Sequence, residues 1–147
     1  MGPFEMHEVL GLRLPRPAGL TNTALRGAIA SVTSVLGDAE LLAHAAWFDY
    51  GTLDGVADVA SGVHIRLVSE EGVVTVDHSF GFDGQPSARL LPWSRVTALR
   101  VTSVILGEDL RVTNVWLETE LEPIEFSGAE PHLFGEIASS IRRCLAL

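Results

Sequence analysis

At Glu40 the periodicity of the chain changes. Before it, Leu25, Ile29, Val32 and Leu36 recur at the spacing of one helix face; from it to Phe126, apolar and polar residues alternate in short runs broken by turn residues. Alternation at period two gives each run one apolar side, and such runs can bury that side only as strands of an antiparallel sheet. "LLAHAAWFDY" is the first strand. "VHIRLV" and "VVTVDHSF" alternate cleanly and are joined by "SEEG", a hairpin whose Gly72 can supply a positive φ. Val63, Ile65 and Leu67 then share a face with Val74, Val76 and Phe80. After the loop "GFDGQPS", "LLPWSRVTALRVTSVIL", the turn "GED" and "LRVTNVWLETELE" form a second long hairpin, and Pro123 precedes the short "IEFS".

A helix is expected on each side of this region. The first spans 22–36, capped by Asn22 or Thr21 and ended by Gly37 at the C′ position. The second spans 131–146: Pro131 suits its first turn, and Phe134, Ile137, Ala138, Ile141 and Leu145 form its apolar stripe. Arg142 and Arg143 complement its C-terminal dipole. Residues 1–20, punctuated by Pro3, Gly11, Pro15, Pro17 and Gly19, are expected to be irregular, with "LGLRLP" adding at most one short strand. The fold class is therefore α+β: an antiparallel β-sheet or partly open barrel with an N-terminal helix and a C-terminal capping helix, in a single domain of residues 1–147.

The 147 residues are 47% apolar and 20% charged, enough material for a full core. Mean hydropathy is positive at +0.29, yet no apolar run reaches the roughly 18 uncharged residues of a spanning helix. "MGPFEMHEVL" lacks a basic n-region, and a cytoplasmic protein without a transmembrane segment is expected. A net charge of −9 speaks against nucleic acid as a partner. The chain is lysine-free: all ten cations are arginine, which removes Schiff-base chemistry, a P-loop lysine and Ser-Lys dyads together. Cys144 is the single cysteine, so an internal disulfide is excluded; its position beside the last helix's apolar stripe predicts a buried, inert thiol.

The region from about Val63 to Leu147 is similar to small bacterial pleckstrin-homology-like (PH-like) domains. "LLPWSRVTALRV" resembles their strand entered through a proline or tryptophan, and "IEFSGAEPHLFGEIASSIRRCL" resembles their last strand leading into the capping helix. The resemblance implies a binding or oligomerising module rather than an enzyme. The helix at 22–36 departs from it by preceding the strands. The turns "SEEG" and "LGED" are acidic where the eukaryotic relatives carry a basic phosphoinositide-binding loop.

No catalytic constellation stands out, and no cofactor is expected. His7, His44, His64, His78 and His132 show none of the close spacings of metal ligands. Asp77 and His78 are neighbours on a strand and point to opposite faces, whereas Asp49 or His44 could meet His78 across strands as an acid–base pair. Ser79 and Ser127 lack a nucleophile elbow. Asp49, Asp54 and Asp58 read as turn chemistry, not a calcium loop.

"NVWLETELEPIEF" is the candidate binding site. In an extended strand Asn114, Trp116, Glu118, Glu120 and Glu122 line one side, while Val115, Leu117 and Leu121 line the other. Trp116 then stands outside beside three carboxylates. One reading is an edge strand whose glutamates and Pro123 block pairing, with Trp116 covered by a loop or turned inward by a bulge. The other is a recognition patch: an aromatic anchor with acidic neighbours that steer a basic protein partner. Trp47, Phe48 and Tyr50 form a second aromatic group with one side exposed. The functional expectation is a non-catalytic protein-interaction module. The alternatives are an immunity-like inhibitor of a basic toxin or nuclease, and a small ligand-binding barrel or enzyme with a pocket between the sheet and helix 22–36. A homodimer is left open by an exposed strand edge.

Overall fold

The computed structural model describes residues 1–13, 22–53, 55–80, 84–127 and 131–146. The elements run α1 (Pro3–Leu10), α2 (Asn22–Leu36), β1 (Leu41–Leu53), β2 (Val56–Ser69), β3 (Gly72–Ser79), β4 (Arg89–Pro92), a 3-10 turn (Trp93–Arg95), β5 (Val96–Leu106), β6 (Asp109–Thr119), β7 (Ile124–Phe126) and α3 (Pro131–Leu145). The strands make two antiparallel sheets in simple chain order, β1-β2-β3-β4 (sheet A) and β5-β6-β7 (sheet B), not closed into a barrel. This is the expected α+β architecture, with α3 as the closing helix.

Sheet A is covered on both faces. Val63, Ile65, Leu67, Val74 and Val76 turn one face to Leu25, Ala28, Ile29, Val32 and Leu36 of α2 and to Met6 of α1. Those side chains fill the space between α2 and the sheet where a ligand pocket was one expectation. The opposite face, with Ala45, Val68 and Val73, packs on Val115, Leu117, Ile124 and Phe126 of sheet B and on Phe134, Ile137 and Ile141 of α3. Because both faces are covered, the alternation of β2 and β3 sorts side chains between two cores, and polar groups on the sheet-B side need partners inside the structure.

The N-terminal segment differs from expectation. Pro3 and Gly11 do not break structure but bound a helix: Pro3 sits in the first turn, where its missing N–H is not needed. Gly11 takes the left-handed C′ conformation at φ 62° and donates its N–H to the His7 carbonyl. Met6, fully buried, fastens α1 to α2's core. Leu14 to Thr21 lie outside the described residues, as does the prolines' part of the "LGLRLP" strand expectation.

The "SEEG" hairpin forms as predicted, but Gly72 is required for a different reason. Its φ of 159° is close to extended backbone; what excludes a side chain is β4, since a Cβ at Gly72 would lie 2.2 Å from the Leu91 carbonyl oxygen. The Ser69 hydroxyl stitches this turn, accepting from the Glu71 and Gly72 amides and donating to the Gly72 carbonyl. Trp93, at the entry to β5, donates its indole N–H to the Ser69 carbonyl at 3.0 Å and so ties the crossover between sheets to the same turn.

Candidate functional site

Two groups of side chains carry chemistry on this frame, and the first is the acidic strand. β6 is the central strand of sheet B, paired with β5 along its length and with β7 at Val115 to Leu117, so the edge-strand reading does not hold. Val115 and Leu117 are buried inward, and Trp116 and Glu118 stand on the outer face. The strand ends at Thr119, whose hydroxyl accepts from the Leu121 amide and donates to the Glu122 carbonyl. Glu120 and Glu122 therefore lie in the β6–β7 turn and do not continue the outer row. Leu121, expected inside, is 80% exposed for the same reason.

Trp116 is half-buried under Arg100, its cross-strand partner, whose guanidinium sits 4.6 Å from the indole centroid. Arg100 Nε also lies 3.8 Å from Glu118, and Arg95 lies 3.6 Å from Glu120. The arginine that an exposed tryptophan and glutamate would recognise in a partner is thus supplied within the chain. These ion pairs are exposed and weak, but they neutralise most of the acidity that was to steer a basic partner.

The second group went unrecognised as a unit. On the sheet-B side of sheet A, alternation lines up Trp47 and Asp49 of β1, His64 and Arg66 of β2, and Asp77 of β3, with His64 directly opposite both Trp47 and Asp77. His64 places Nε2 2.5 Å from Asp49 and Nδ1 2.5 Å from Asp77. A neutral imidazole has one N–H, so two carboxylate contacts require the doubly protonated ring. Burial works against that charge, but the hydrogen bonds and charges of Asp77 and Asp49 outweigh it and raise the His64 pKa above 6.5. Burial likewise opposes the charge of Asp77, yet His64 and Arg66 together hold its carboxyl below the ordinary value. Trp47 stacks on the imidazole at 4.9 Å. Gly62 keeps the place open for Asp49: a Cβ there would be 3.3 Å from the Asp49 carboxylate and 3.0 Å from the His78 carbonyl oxygen.

Arg66 carries the cluster inward. It is only 6% exposed and donates to Asp77, to the carbonyls of Ile65 and Val76, and from Nε to the Glu125 carbonyl of β7 at 3.0 Å. Its guanidinium lies 5.0 Å from the Trp47 ring centroid. One buried side chain thus joins the two sheets by a hydrogen bond that neither sheet's own ladder provides.

The expected acid–base contact through His78 is not formed. His78 is half-buried beside Phe80, and His44 is half-buried with its pKa lowered by desolvation. The histidine that meets Asp49 is His64. The signal for it was present in the sequence: the phase that puts Val63, Ile65 and Leu67 on one face puts His64, Arg66, Thr75 and Asp77 on the other. Phe48 joins the α2 side, Trp47 the sheet-B side, and Tyr50 is exposed. Cys144 is buried as expected, its thiol 3.7 Å from the Ser69 carbonyl and its pKa raised by desolvation. Asp54 and the His132 side chain lie outside the described residues. Among the described residues, no three His, Cys, Asp or Glu side chains are grouped to share a metal ion, and no helix is long and apolar enough to cross a membrane. No family model matches the chain, and no curated protein or solved structure matches it.

Proposed function

We propose that the protein is a non-catalytic interaction module that binds a protein partner through the β5–β6 hairpin. The observation that carries this reading is the apolar face of the hairpin's outer half. From Arg100 to Arg111 every residue is exposed, including Val101, Val104, Ile105, Leu106 and Leu110. The register shifts where Thr102 pairs with Asn114 and Ser103 with Val112, which makes Thr113 an extra residue on β6. Without that bulge, Arg111 and Asp109 would follow Val115 on the core-facing side; with it, Val112 and Leu110 do. The side of sheet B that packs inward at Leu117 and Val115 therefore continues through Val112, which still packs on the core, to Val101, Ile105 and Leu110, which with Ser103 form an uncovered, mainly apolar face. A bulge that keeps an uncovered face apolar is what an interaction surface requires.

Trp116 and Glu118 stand on the opposite face of sheet B at the base of the hairpin, and Glu120 and Glu122 lie in the β6–β7 turn, away from its tip, so the four form a secondary, polar part of the proposed contact. The pairing of Glu118 with Arg100 and of Glu120 with Arg95 favours an apolar over a strongly basic partner surface. The non-enzymatic part of the reading is supported by His64, both of whose ring nitrogens are engaged by carboxylates, leaving neither to accept a proton from a nucleophile. The succession of strands closed by an amphipathic C-terminal helix is consistent with the PH-like resemblance, and a reducing, cytoplasmic setting suits the single free thiol.

Affinity capture with the tagged full chain in its native cells tests the proposal. The paired substitution Ile105→Asp, Leu110→Asp should abolish capture while leaving the melting temperature nearly unchanged, because both side chains are already in water. Undiminished capture by the folded double variant would sink the reading.

A further inference from the structure

We infer that the partner of this hairpin is a second copy of the chain, joined edge to edge along β5; the inference rests on the hairpin reading and specifies it. β5 ends the order β5-β6-β7, and among the described residues no strand pairs with its outer edge. Natural sheets protect such edges with charges, proline or bulges. The distal stretch of β5, "VTSVIL" from Val101 to Leu106, has none of these: it is uncharged, rich in β-branched residues and free of proline and glycine. Its bulge lies on β6, on the other side of the ladder.

The flanking charges select the orientation and favour a second copy. Arg100 precedes the stretch and Glu108 follows it, each four residues from Val104. Two copies running antiparallel about a two-fold axis at Val104 set Arg100 of each opposite Glu108 of the other. A parallel alignment would set like charges together. The hydrogen-bonding parity agrees. The turn at Gly107 and Glu108, with Gly107 at φ 66°, is a two-residue loop closed by Leu106 and Asp109. In such a hairpin the closing pair bonds across the ladder. Leu106, Val104 and Thr102 then direct their amides toward β6, and Val101, Ser103 and Ile105 direct theirs to the free edge. In the antiparallel dimer Ser103 of each copy faces Ile105 of the other, both with free donors and acceptors, and sheet B becomes a continuous six-stranded sheet. Its isologous contact closes on two copies.

Analytical ultracentrifugation of the full chain over a wide concentration range tests this. The wild-type chain should show a reversible monomer–dimer equilibrium. Ser103→Pro removes an edge-facing amide without touching the β5–β6 ladder, and by symmetry the loss counts twice, so self-association should weaken about tenfold or more. Ile105→Lys, which places a charge on the same edge, should do likewise, and serves if the proline variant fails to fold by circular dichroism. A wild-type chain that stays monomeric throughout, or a dimer that survives both substitutions, overturns the inference. If the chain is monomeric and the Ile105→Asp, Leu110→Asp variant still loses a captured foreign protein, the dimer is wrong and the interaction module stands.

Discussion

Replacing Arg66 by methionine tests whether one buried guanidinium holds the two sheets together. The substitution keeps an apolar stem and removes every donor. Three bonds to carbonyls of Ile65, Val76 and Glu125 are lost, at about 1 kcal/mol net each. The ion pair with Asp77 adds less than about 1 kcal/mol, because that carboxylate is 53% exposed and can rehydrate. Loss of the cation from the face of Trp47 adds about 1 kcal/mol. Against these stands the relief of no longer desolvating a charge, about 2 kcal/mol here and the reason many buried ion pairs contribute little. The net loss is then about 2 to 3 kcal/mol, or roughly 6 to 12 °C in melting temperature for a chain of this length. Urea denaturation at neutral pH measures it, and hydrogen exchange should show the β7 amides opening before those of β2 and β3. Arg66→Lys should be no better than methionine, since an ammonium stays buried but cannot span Glu125, Val76 and Asp77 together. A methionine variant within 1 kcal/mol of wild type, with β7 exchange unchanged, would refute the reasoning: desolvation would then outweigh the bonds, and the sheets would be held by their apolar contact alone.

Two further outcomes follow from the same region and its neighbour. His64 is favoured as imidazolium in the folded chain, so its contribution to stability is complete below the unfolded value near 6.5 and is lost as pH rises through the higher folded value; Asp77, shifted down, contributes above its ordinary 3.8 and is lost on acidification. Melting temperature against pH should thus decline on the alkaline side, and His64→Gln should remove that decline and shrink the acid one, since Asp77 then keeps only Arg66 as its partner. Since His44 shifts the opposite way, the difference between wild type and variant is the quantity to read, and an unchanged alkaline limb would contradict the double contact. Gly72→Ala should cost more than about 2 kcal/mol, because β4 must move away from its Cβ; a variant melting with wild type would show that β4 is not held against the hairpin.

Much of the fold is legible in periodicity, because alternation sorts each strand's side chains between two faces, even in sheet A, where both are covered. α1 escaped because Pro3 and Gly11, the residues that end coil predictions, are also the residues that begin and close a helix, and only the burial of Met6 tells the two uses apart. The outer row was extended too far at Glu120 and Glu122 because alternation of side chains continues in writing after the strand has stopped. Thr119, a residue able to turn the chain by its own hydroxyl, marked the end. The His64 cluster was legible in its faces and missed in its function of joining, since nothing in one strand's pattern reveals that Glu125, from a different sheet, lends the carbonyl that Arg66 reaches. Thr113 is the reverse case: the apolar phase passes from Leu110 and Val112 to Val115 and Leu117, an even-to-odd switch that a reader can see and that a bulge must absorb.

The covering of sheet A on both faces also has a temporal meaning. Its four strands are consecutive in the chain and α2 precedes them, so the half of the core between α2 and sheet A can assemble while the residues of sheet B are still being synthesised. During that interval Ala45, Val68 and Val73 face water, and Arg66 has Asp77, the Trp47 ring and the carbonyls of Ile65 and Val76 for company but lacks the Glu125 carbonyl. The charged cluster at the rim then keeps an unfinished apolar face hydrated and soluble until β7 and α3 arrive to close it.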